Sequence, residues 1–382
     1  MVDLSESRKR IDEIDEQIVK LFEDRMAIAK DVAEYKVNVG KEVLDRAREI
    51  DKLDAVEKLT HNEFNRAAIR ELFEQFMSIS RKYQYGLINK IKKDADDITG
   101  FERRETIDFS KAKTVSYFGV RGTYTQAAME EVFGTEVKQT HEPTFGGVMR
   151  SVSDRRADFG VLPIENSSTG GVSANYDSIL KYPNAIVGEH IMVIDQCLVG
   201  LPGTTIDDIK TVYSHPQGLM QCRKFLEEHP GISGIEYEST AAGAKKVLND
   251  GDKSVAAIAS ANAAKEYGLE IIKENIQTEN NNQTRFIIIG PDKIYTKKAD
   301  KISLMIELPH VSGSLYRILS HFLFNDLNLT LIESRPIKDR QWEYRFFVDV
   351  EGNIEDPAVK NALRGISEEA KVLRVLGNYN TY

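Results

Sequence analysis

The chain has 382 residues and a formal net charge of -9, because 60 Asp and Glu residues outnumber 51 Lys and Arg residues. Such an acidic chain is not suited to nucleic acid as its main partner, since phosphate groups require a basic face. No run approaches the roughly 18 apolar residues of a membrane-spanning helix, and the first residues, MVDLSESRKR, contain no apolar signal region. The length predicts two or three domains, and the composition predicts a cytoplasmic protein.

The residues that commonly bind metals or nucleotides form no motif in this sequence. Cys197, Cys222 and the seven histidines fall in no metal-ligand spacing. A GxGxxG motif and a phosphate-binding loop are also missing from the sequence. We therefore expect no metal and no nucleotide cofactor.

Residues 1–90 predict three helices and no strand. The first helix extends to about Val39, the second from about Val43 to Leu59, and the third from about Glu63 to Gln84. Gly40 is the break between the first two. A first helix of roughly 30 residues would be about 45 Å long, which exceeds what a small monomeric domain needs. We expect a second copy of the chain to pair with it.

Arg25 occupies a position in the first helix where the helical period calls for an apolar residue. The stripe has steps of three and four residues and consists of Ile11, Ile14, Ile18, Leu21, Arg25, Ile28, Val32 and Tyr35. A buried guanidinium without a partner is costly, so an anionic group must meet it. Lys36 returns to nearly the same face. Arg8 lies about 25 Å up the axis and a quarter turn away, from where it would reach a neighbouring chain.

Polar residues at apolar-face positions occur on all three predicted helices. They are Arg25, Lys36, Arg48, Glu49, Ser80 and Gln84. Because three of these six residues are cations, the set indicates a pocket for a small polyanion. A buried ion-pair network or a helical dimerisation domain is the alternative, and Arg8 and Arg48 alone could be solvated surface residues.

From residue 114 to about 290, short apolar runs alternate with helical patterns. This alternation is typical of βα units with a largely parallel sheet, and the length suits two lobes around a cleft. The polar stretch before it reads as a linker. After about residue 300 the order becomes βαββαβ, which matches a ferredoxin-like module.

Polar clusters follow the strand ends of the predicted α/β domain, at residues 165–172, 214–217 and 239–240. Ligands of open α/β sheets bind beyond the carboxyl ends of the strands, so these clusters predict one shared cleft. The alternative is that the Ser, Thr, Asn and Pro residues only cap helices and turn the chain.

One set of residues within positions 5–87 resembles, in type, order and nearly in spacing, the active-site set of the all-helical chorismate mutases. It consists of Arg8, Arg25, Lys36, Asp45, Arg48, Glu49, Ser80 and Gln84. The resemblance implies an intertwined dimer of three-helix domains, with Arg8 entering the partner's site, and a rearrangement of chorismate to prephenate. It also implies substrate binding by Asp45 and Ser80 and catalytic roles for the other six.

The segment 280–286, NNNQTRF, resembles the Thr-Arg-Phe signature of prephenate dehydratases, and residues 165–167 with Gly170 and Val172 resemble their Glu-Asn-Ser motif. Residues 122–124, 214–217 and Gln221 also match. The resemblance implies a two-lobed fold like that of periplasmic binding proteins and makes Thr284 the donor to the departing ring hydroxyl. The implied substrate-binding residues are Thr123, Glu165, Asn166, Ser167, Ser214, Gln221, Thr240, Arg285 and Phe286. Either Arg285 or the Asn166 and Ser167 groups would hold the side-chain carboxylate.

The C-terminal module resembles an ACT regulatory domain of the kind attached to prephenate dehydratases. The matching residues are Gly313, Ser314 and Leu315 in one loop and Glu333, Ser334, Arg335 and Pro336 in a second segment. The implied ligand is L-phenylalanine, acting as an allosteric inhibitor between two paired modules. A dimerisation unit without a ligand is the alternative.

Taken together, the resemblances imply a multidomain, bifunctional enzyme of phenylalanine biosynthesis that works as a homodimer or homotetramer. The expected domains are residues 1–90, a linker 91–112, 113–291 and 300–382. Two alternatives stay open: a dehydratase whose helical domain serves only assembly, and a small-molecule sensor without activity. Val120, Gln196 and Ser314 stand where these families commonly have proline, histidine and alanine, and Ser314 bears on the affinity for the effector.

Overall fold

The computed structural model describes residues 3–91, 98–279, 281–338 and 340–382. Residues 92–97 of the expected linker and Asn280 of the NNNQTRF segment therefore lie outside the described residues. The chain forms two compact units, the first made of Met1–Gly100 and Leu304–Val375 and the second of Phe101–Ser303 and Leu376–Tyr382. Among the helices of the described ranges, none combines the length and apolar character that crossing a bilayer requires.

The first unit begins with three helices, as predicted: α1 (Leu4–Val39), α2 (Arg46–Glu57) and α3 (Glu63–Ile91). Asp3 caps α1, because its Oδ1 accepts a hydrogen bond from the Ser5 backbone N–H at 2.9 Å. Gly40 ends the helix at φ 69°, a left-handed conformation that glycine adopts without strain. The predicted break at Gly40 is confirmed.

The apolar stripe of α1 is uncovered within a single chain. Ile14 is 53 % exposed, Leu21 67 % and Ile28 63 %, whereas Ala29 and Ala33 on another face are buried. That other face packs against α3, where the Phe22 and Phe76 rings lie 5.5 Å apart. A continuous apolar row of this length on one helix is typical of an interaction surface.

The second unit contains two lobes, each built on its own sheet. The first lobe is formed by β1 (Glu102–Arg104), a 3-10 helix (Phe109–Lys111), β2 (Thr114–Phe118), α4 (Tyr124–Phe133), β3 (Lys138–Glu142), α5 (Phe145–Ser153), β4 (Phe159–Asn166), β5 (Gly170–Gly171), α6 (Ser173–Lys181) and β6 (Ala185–Val193). The second lobe is formed by β7 (Cys197–Gly200), a 3-10 helix (Ile206–Asp208), β8 (Thr211–Ser214), α7 (Pro216–Gln221), α8 (Arg223–Glu228), β9 (Ser233–Glu236), α9 (Thr240–Asp250), β10 (Val255–Ala259), α10 (Ala261–Tyr267) and β11 (Glu270–Lys273). The chain then returns to the first lobe through β12 (Gln283–Gly290) and β13 (Ile294–Thr296).

The sheet order is β6-β12-β4-β2-β3 in the first lobe and β11-β7-β10-β8-β9 in the second. Strands β2, β3 and β4 are parallel, and so are β8, β9 and β10. However, β12 runs antiparallel to both of its neighbours, β4 and β6, and β7 runs antiparallel to β10. The sheets are therefore mixed, because the strands that enter or leave a lobe at the crossovers run against the βα units.

Two crossover segments join the lobes, and they are hydrogen-bonded to each other. The backbone N–H of Ile276 donates to the carbonyl oxygen of Gln196 at 2.9 Å, and the backbone N–H of Gln196 donates to the Gln277 side chain at 2.9 Å. Paired crossovers between two lobes fit the predicted two-lobed architecture and leave a cleft between the sheets.

The C-terminal module has the predicted βαββαβ order. Its elements are β14 (Lys301–Glu307), α11 (Ser314–Phe324), β15 (Leu329–Pro336), β16 (Tyr344–Glu351), α12 (Pro357–Glu369) and β17 (Val372–Tyr379). The strand order β15-β16-β14-β17 is that of a ferredoxin-like sheet. Among the described strands of this sheet β15 lies at the edge, a position from which strands commonly pair with another chain. Within the first unit, α12 and α11 pack against α3.

Candidate active sites

Arg25 and Lys36 are both half-buried on the same side of α1. Arg25 donates a hydrogen bond from Nη1 to the Phe76 carbonyl oxygen at 3.0 Å, and Lys36 donates from Nζ to the Val43 carbonyl oxygen. Burial lowers the pKa of Arg25, and the charge of Glu49 opposes that shift. Burial also lowers the pKa of Lys36, opposed mainly by Asp45. Glu49 therefore interacts electrostatically with both cations, and Asp45 interacts with Lys36.

Three of the predicted residues lie at the start of α2. Asp45 caps this helix, because its Oδ1 accepts from the Arg48 backbone N–H at 3.1 Å. Asp45 and Arg48 are exposed, and Glu49 is partly buried. The loop that follows Gly40 therefore brings the three residues towards the end of α1 that carries Lys36.

Ser80 and Gln84 are buried one turn apart on α3, as the spacing predicted. The Gln84 side chain donates from Nε2 to Ser80 Oγ at 3.3 Å. Gln84 Oε1 is buried and has no hydrogen-bond partner among the described residues. Because the bond to Ser80 uses only one of the two Nε2 hydrogens, Gln84 keeps a second hydrogen that can be donated.

Arg8 does not join this group within one chain. It is exposed on α1, seventeen residues before Arg25, which corresponds to about 25 Å along the axis. The single chain therefore assembles Arg25, Lys36, Asp45, Glu49, Ser80 and Gln84 around the helical bundle and leaves Arg8 at a distance.

Arg81 was missed by sequence reasoning, although a signal was present. It occupies the four-residue spacing Met77, Arg81, Tyr85 on α3, and all three side chains are buried. Arg81 Nη1 pairs with the Glu49 carboxylate, and Nη2 lies 3.0 Å from Oε1 of Glu369 at the end of α12. Arg81, like Arg25, is a charged residue at a position where the helical period predicts an apolar one, and this signal could have identified it.

In the second unit, neighbouring strands bring Thr284 and Asn166 together. Thr284 on β12 pairs with Asn166 at the carboxyl end of β4. Asn166 Nδ2 donates to Thr284 Oγ1 at 2.9 Å and lies 2.8 Å from Asn282 Oδ1. Because Thr284 Oγ1 accepts this bond, the hydrogen of its hydroxyl is left to donate elsewhere.

Residues 167–169 continue the same polar cluster. Ser167 Oγ accepts from the Gln283 backbone N–H at 2.9 Å, and Ser168 Oγ donates to Asn282 Oδ1 at 2.8 Å. Thr169 Oγ1 accepts from Gln217 Nε2 of the second lobe at 3.2 Å. The predicted clusters 165–172 and 214–217 therefore meet in the cleft between the lobes.

The remaining predicted residues of the second lobe and of α4 have structural partners of their own. Ser214 Oγ is fully buried and donates to the Ile258 carbonyl oxygen at 2.8 Å. Gln221 Oε1 accepts from Gln196 Nε2 at 3.1 Å. Thr123 caps α4, and Thr240 is the first residue of α9, which Ser239 caps. The alternative that the polar residues at the strand ends only cap helices and turn the chain therefore holds in part at these positions.

The side chains of Arg285 and Phe286 contact residues outside the Thr284 cluster. Arg285 Nη1 lies 3.1 Å from Oε2 of Glu189, and its Nε lies 3.2 Å from Oε2 of Glu165. Side chains alternate along a strand, so Arg285 points to the opposite face from Thr284. Phe286 is buried in the hydrophobic core of the first lobe.

The loop before α11 forms a small cavity in the C-terminal module. Gly313 adopts φ 74°, and Ser314 Oγ donates to the Val311 carbonyl oxygen at 2.9 Å. A cavity of about 390 Å³ lies here, lined by residues that include Ser314, Leu315, Tyr344 and Phe346. Residues 333–336 lie on the edge strand β15, with Ser334 paired to Phe346. In the described part of the chain, no group of three or more His, Cys, Asp or Glu residues is arranged to hold a metal ion.

Comparison with known proteins gives matches to both enzyme families. A model of chorismate mutase type II matches residues 7–85, and a model of prephenate dehydratase matches residues 115–294. A protein of Aquifex aeolicus named bifunctional chorismate mutase/prephenate dehydratase is 35% identical over 99% of this chain and 98% of its own length.

Two solved structures resemble about 70% of the chain. The prephenate dehydratase of Arthrobacter aurescens in complex with L-Phe has a TM-score of 0.66 and 32% identity, and the match covers 70% of this chain and 90% of that one. A protein described as a novel type of quorum quenching acylase has a TM-score of 0.66 and 29% identity, with 70% of this chain and 98% of that chain covered.

Proposed function

The chain belongs to the family of bifunctional chorismate mutase/prephenate dehydratases and has both activities, and from that premise we propose that residues 1–90 rearrange chorismate and residues 113–291 dehydrate the resulting prephenate. Residues 91–112 link the two domains, and residues 300–382 regulate the enzyme. The observation that supports this assignment best is the placement of half-buried Arg25 and Lys36 near Glu49. Both reactions are biosynthetic, and we place the enzyme in the cytoplasm.

In the mutase site the guanidinium groups bind the substrate carboxylates. Chorismate is a dicarboxylate, and Arg25 of one chain with Arg8 of a second chain can each form a bidentate pair with one carboxylate. Arg48, Asp45 and Ser80 complete the polar wall. Fixing both ends of the substrate holds the reacting carbon atoms near each other, which is the main requirement of a rearrangement without a covalent intermediate.

Lys36 and Gln84 stabilise the charge that develops during the reaction. As the carbon–oxygen bond breaks, negative charge builds on the ether oxygen, and a fixed ammonium group lowers the barrier more than one that must reorient. Lys36 is held by its bond to the Val43 carbonyl oxygen, and Gln84 is held by Ser80. Glu49 accepts a hydrogen bond from the ring hydroxyl.

The active mutase is at least a dimer in this proposal. The exposed apolar row of α1 supports pairing, and Arg8 is too far from Arg25 to serve its own chain. Mixing an Arg8→Ala chain with an Arg25→Ala chain should therefore restore activity, because each mixed dimer contains one site with both arginines. After unfolding and refolding together, we expect about a quarter of the wild-type mutase rate.

Each variant refolded by itself is the control and should stay inactive. A mixture as inactive as the separate variants, or a monomer in gel filtration at micromolar concentration, would contradict the shared site. The dehydratase rate of the same samples shows whether the chains have refolded.

In the dehydratase site, Thr284 assists the departure of the ring hydroxyl. A threonine hydroxyl is a weak acid, so it supplies a hydrogen bond or relays a proton, and formation of the aromatic ring supplies most of the driving force. Asn166 orients this hydroxyl, because its amide nitrogen donates to Thr284 Oγ1 at 2.9 Å. The carbon–carbon bond between the ring and its carboxylate breaks, and the carboxylate leaves as CO2. The electron pair of that bond completes the aromatic ring as the carbon–oxygen bond breaks and the hydroxyl, with the relayed proton, leaves as water.

We assign the side-chain carboxylate of prephenate to Ser167 of the Asn166–Ser167 pair rather than to Arg285, because both Nδ2 hydrogens of Asn166 already have acceptors. Arg285 forms ion pairs with Glu165 and the fully buried Glu189, so moving it to the substrate would leave a buried carboxylate with less compensation. Arg285, Glu165 and Phe286 then secure strand β12, and Thr123, Ser214, Gln221 and Thr240 shape the cleft.

The C-terminal module is, in our proposal, an ACT domain that binds L-phenylalanine. The cavity beside Gly313, Ser314 and Leu315 has apolar walls from Tyr344 and Phe346, which suit an aromatic side chain. The Arthrobacter relative was solved with L-Phe bound. Glu333, Ser334, Arg335 and Pro336 lie on the edge strand, where a second module can complete the site. Inhibition requires only that L-phenylalanine bind an inactive state more tightly.

The proposal is tested by incubating the purified chain with chorismate alone, with and without L-phenylalanine, and following chorismate loss and phenylpyruvate formation. We expect both signals, with phenylpyruvate formation suppressed by L-phenylalanine. D-phenylalanine is the matched control and should suppress neither.

The alternatives give different results in the same experiment. Conversion of added prephenate without loss of chorismate would show that the helical domain serves only assembly. Binding of prephenate without conversion would favour a sensor. An unaltered rate in the presence of L-phenylalanine would remove the effector role of the C-terminal module.

A further inference from the structure

A buried ionic cluster lies within the first unit, with Arg81 at its centre. Arg81 is only 5% exposed, and His321 on α11 is 1% exposed. The guanidinium meets two carboxylates from different helices: Glu49 on α2 and Glu369 on α12. His321 Nε2 lies 3.2 Å from the same Glu369 oxygen.

The guanidinium is held by Glu369 through two of its nitrogen atoms. Arg81 Nε lies 3.2 Å and Nη2 lies 3.0 Å from Glu369 Oε1. This contact fixes the plane of the guanidinium, because the group is rigid and flat. The third nitrogen, Nη1, then donates to Glu49 Oε1 along a fixed direction. Glu369 on α12 therefore determines the orientation of the Glu49 carboxylate through Arg81.

Arg81 and Glu369 each stabilise the charged form of the other. Burial would lower the pKa of Arg81, but Glu369 and Glu49 raise it above its ordinary value. Burial would raise the pKa of Glu369, but the hydrogen bond with His321 and the charge of Arg81 hold it below its ordinary value. Removing the Glu369 charge leaves Arg81 with one carboxylate instead of two, so Arg81 must move towards Glu49 or take in water.

We infer that Arg81 and Glu369 are positioning residues of the mutase: Glu369, from the C-terminal module, orients Arg81, and Arg81 orients Glu49 for the ring hydroxyl of chorismate. This inference rests on the proposed function of the helical domain. It makes the mutase rate depend on a residue 288 positions away in the chain from Arg81.

The experiment compares full-length variants in steady-state mutase and dehydratase assays. Glu369→Gln keeps the shape of the side chain and removes its charge, and we expect the mutase kcat to fall about tenfold with a smaller change in KM. The dehydratase kcat/KM, measured with added prephenate, should stay unchanged within about twofold.

The matched control is Ser320→Ala. Ser320 on α11 accepts a hydrogen bond from Lys82 on α3 at 2.8 Å, so this variant also removes a buried contact between α3 and the C-terminal module, but without touching Glu49. Its mutase kcat should stay within about twofold of wild type.

The decisive variant is the double substitution Glu49→Gln with Glu369→Gln. If Glu369 acts through Glu49, the double variant should be no slower than Glu49→Gln alone, because residues that act as a unit are not additive. Additive losses, or a normal rate in Glu369→Gln, would overturn the inference while the wild-type mutase stays active. An inactive wild-type mutase would overturn the proposed function, and the inference with it.

Discussion

Replacing Lys36 with alanine should lower the mutase kcat by about a hundredfold or more, the loss typical of removing one fixed stabiliser of transition-state charge. Arg25→Ala should cost about as much in kcat/KM, because it removes one end of the carboxylate clamp. Both residues are half-buried. Water that enters after the truncation carries no net charge and must reorganise during the reaction, so it cannot replace a fixed cation. The measurement is the rate of chorismate loss in full-length variants.

Lys41→Ala is the matched control, since Lys41 is an exposed lysine just after α1. It should leave the mutase rate at the wild-type level. The dehydratase rate with added prephenate should be retained in all three variants. A loss below about tenfold in Lys36→Ala or Arg25→Ala would contradict its assignment, because such a loss is small for a group acting directly on the reaction.

Replacing Thr284 with valine should reduce the dehydratase kcat by about a hundredfold or more and leave the mutase intact. Hydrogen-bond or proton-relay assistance by a positioned side chain contributes about that much. The chain would then convert chorismate and release prephenate that is not consumed. The buried Asn166 amide would also lose an acceptor, since it lies 2.9 Å from Thr284 Oγ1. Following prephenate and phenylpyruvate in one reaction measures both effects.

Thr284→Ser is the control, because it keeps the hydroxyl and removes only a methyl group. It should retain most of the dehydratase rate, which separates loss of the donor from loss of packing. Equal rates for the valine and serine variants would show that the hydroxyl does not take part in the departure of the ring hydroxyl.

The sequence was informative wherever a local rule was broken. Arg25 and Lys36 were found because they interrupt an apolar helical period, and Gly40 because glycine ends helices. Asn166 and Thr284 were found through motifs, and the sheet register then placed them on adjacent strands. The βαββαβ order of the C-terminal module was predicted because its strands and helices are short and strongly patterned.

The features that could not be predicted from the sequence depend on pairing between distant segments of the chain. The direction of β12 follows from its return from the second lobe, and the face on which Arg285 lies follows from the register of β12 with β4 and β6. Glu369 carries no local signal that it meets Arg81, because helix α12 is amphipathic with or without that contact. Arg8 can be placed only with a second chain.

The burial of α3 against α11 and α12 limits how this enzyme can be redesigned for overproduction of its product. Deleting the C-terminal module would remove the loop that we propose to bind L-phenylalanine. It would also uncover Tyr85, whose hydroxyl donates to Glu368 at 2.7 Å, and Lys82, whose pKa burial lowers to about 8. The helical domain and the C-terminal module therefore share one core, and the module cannot be removed without exposing it. Release from the proposed inhibition by L-phenylalanine is better sought by single substitutions at the loop before α11, which leave that core closed.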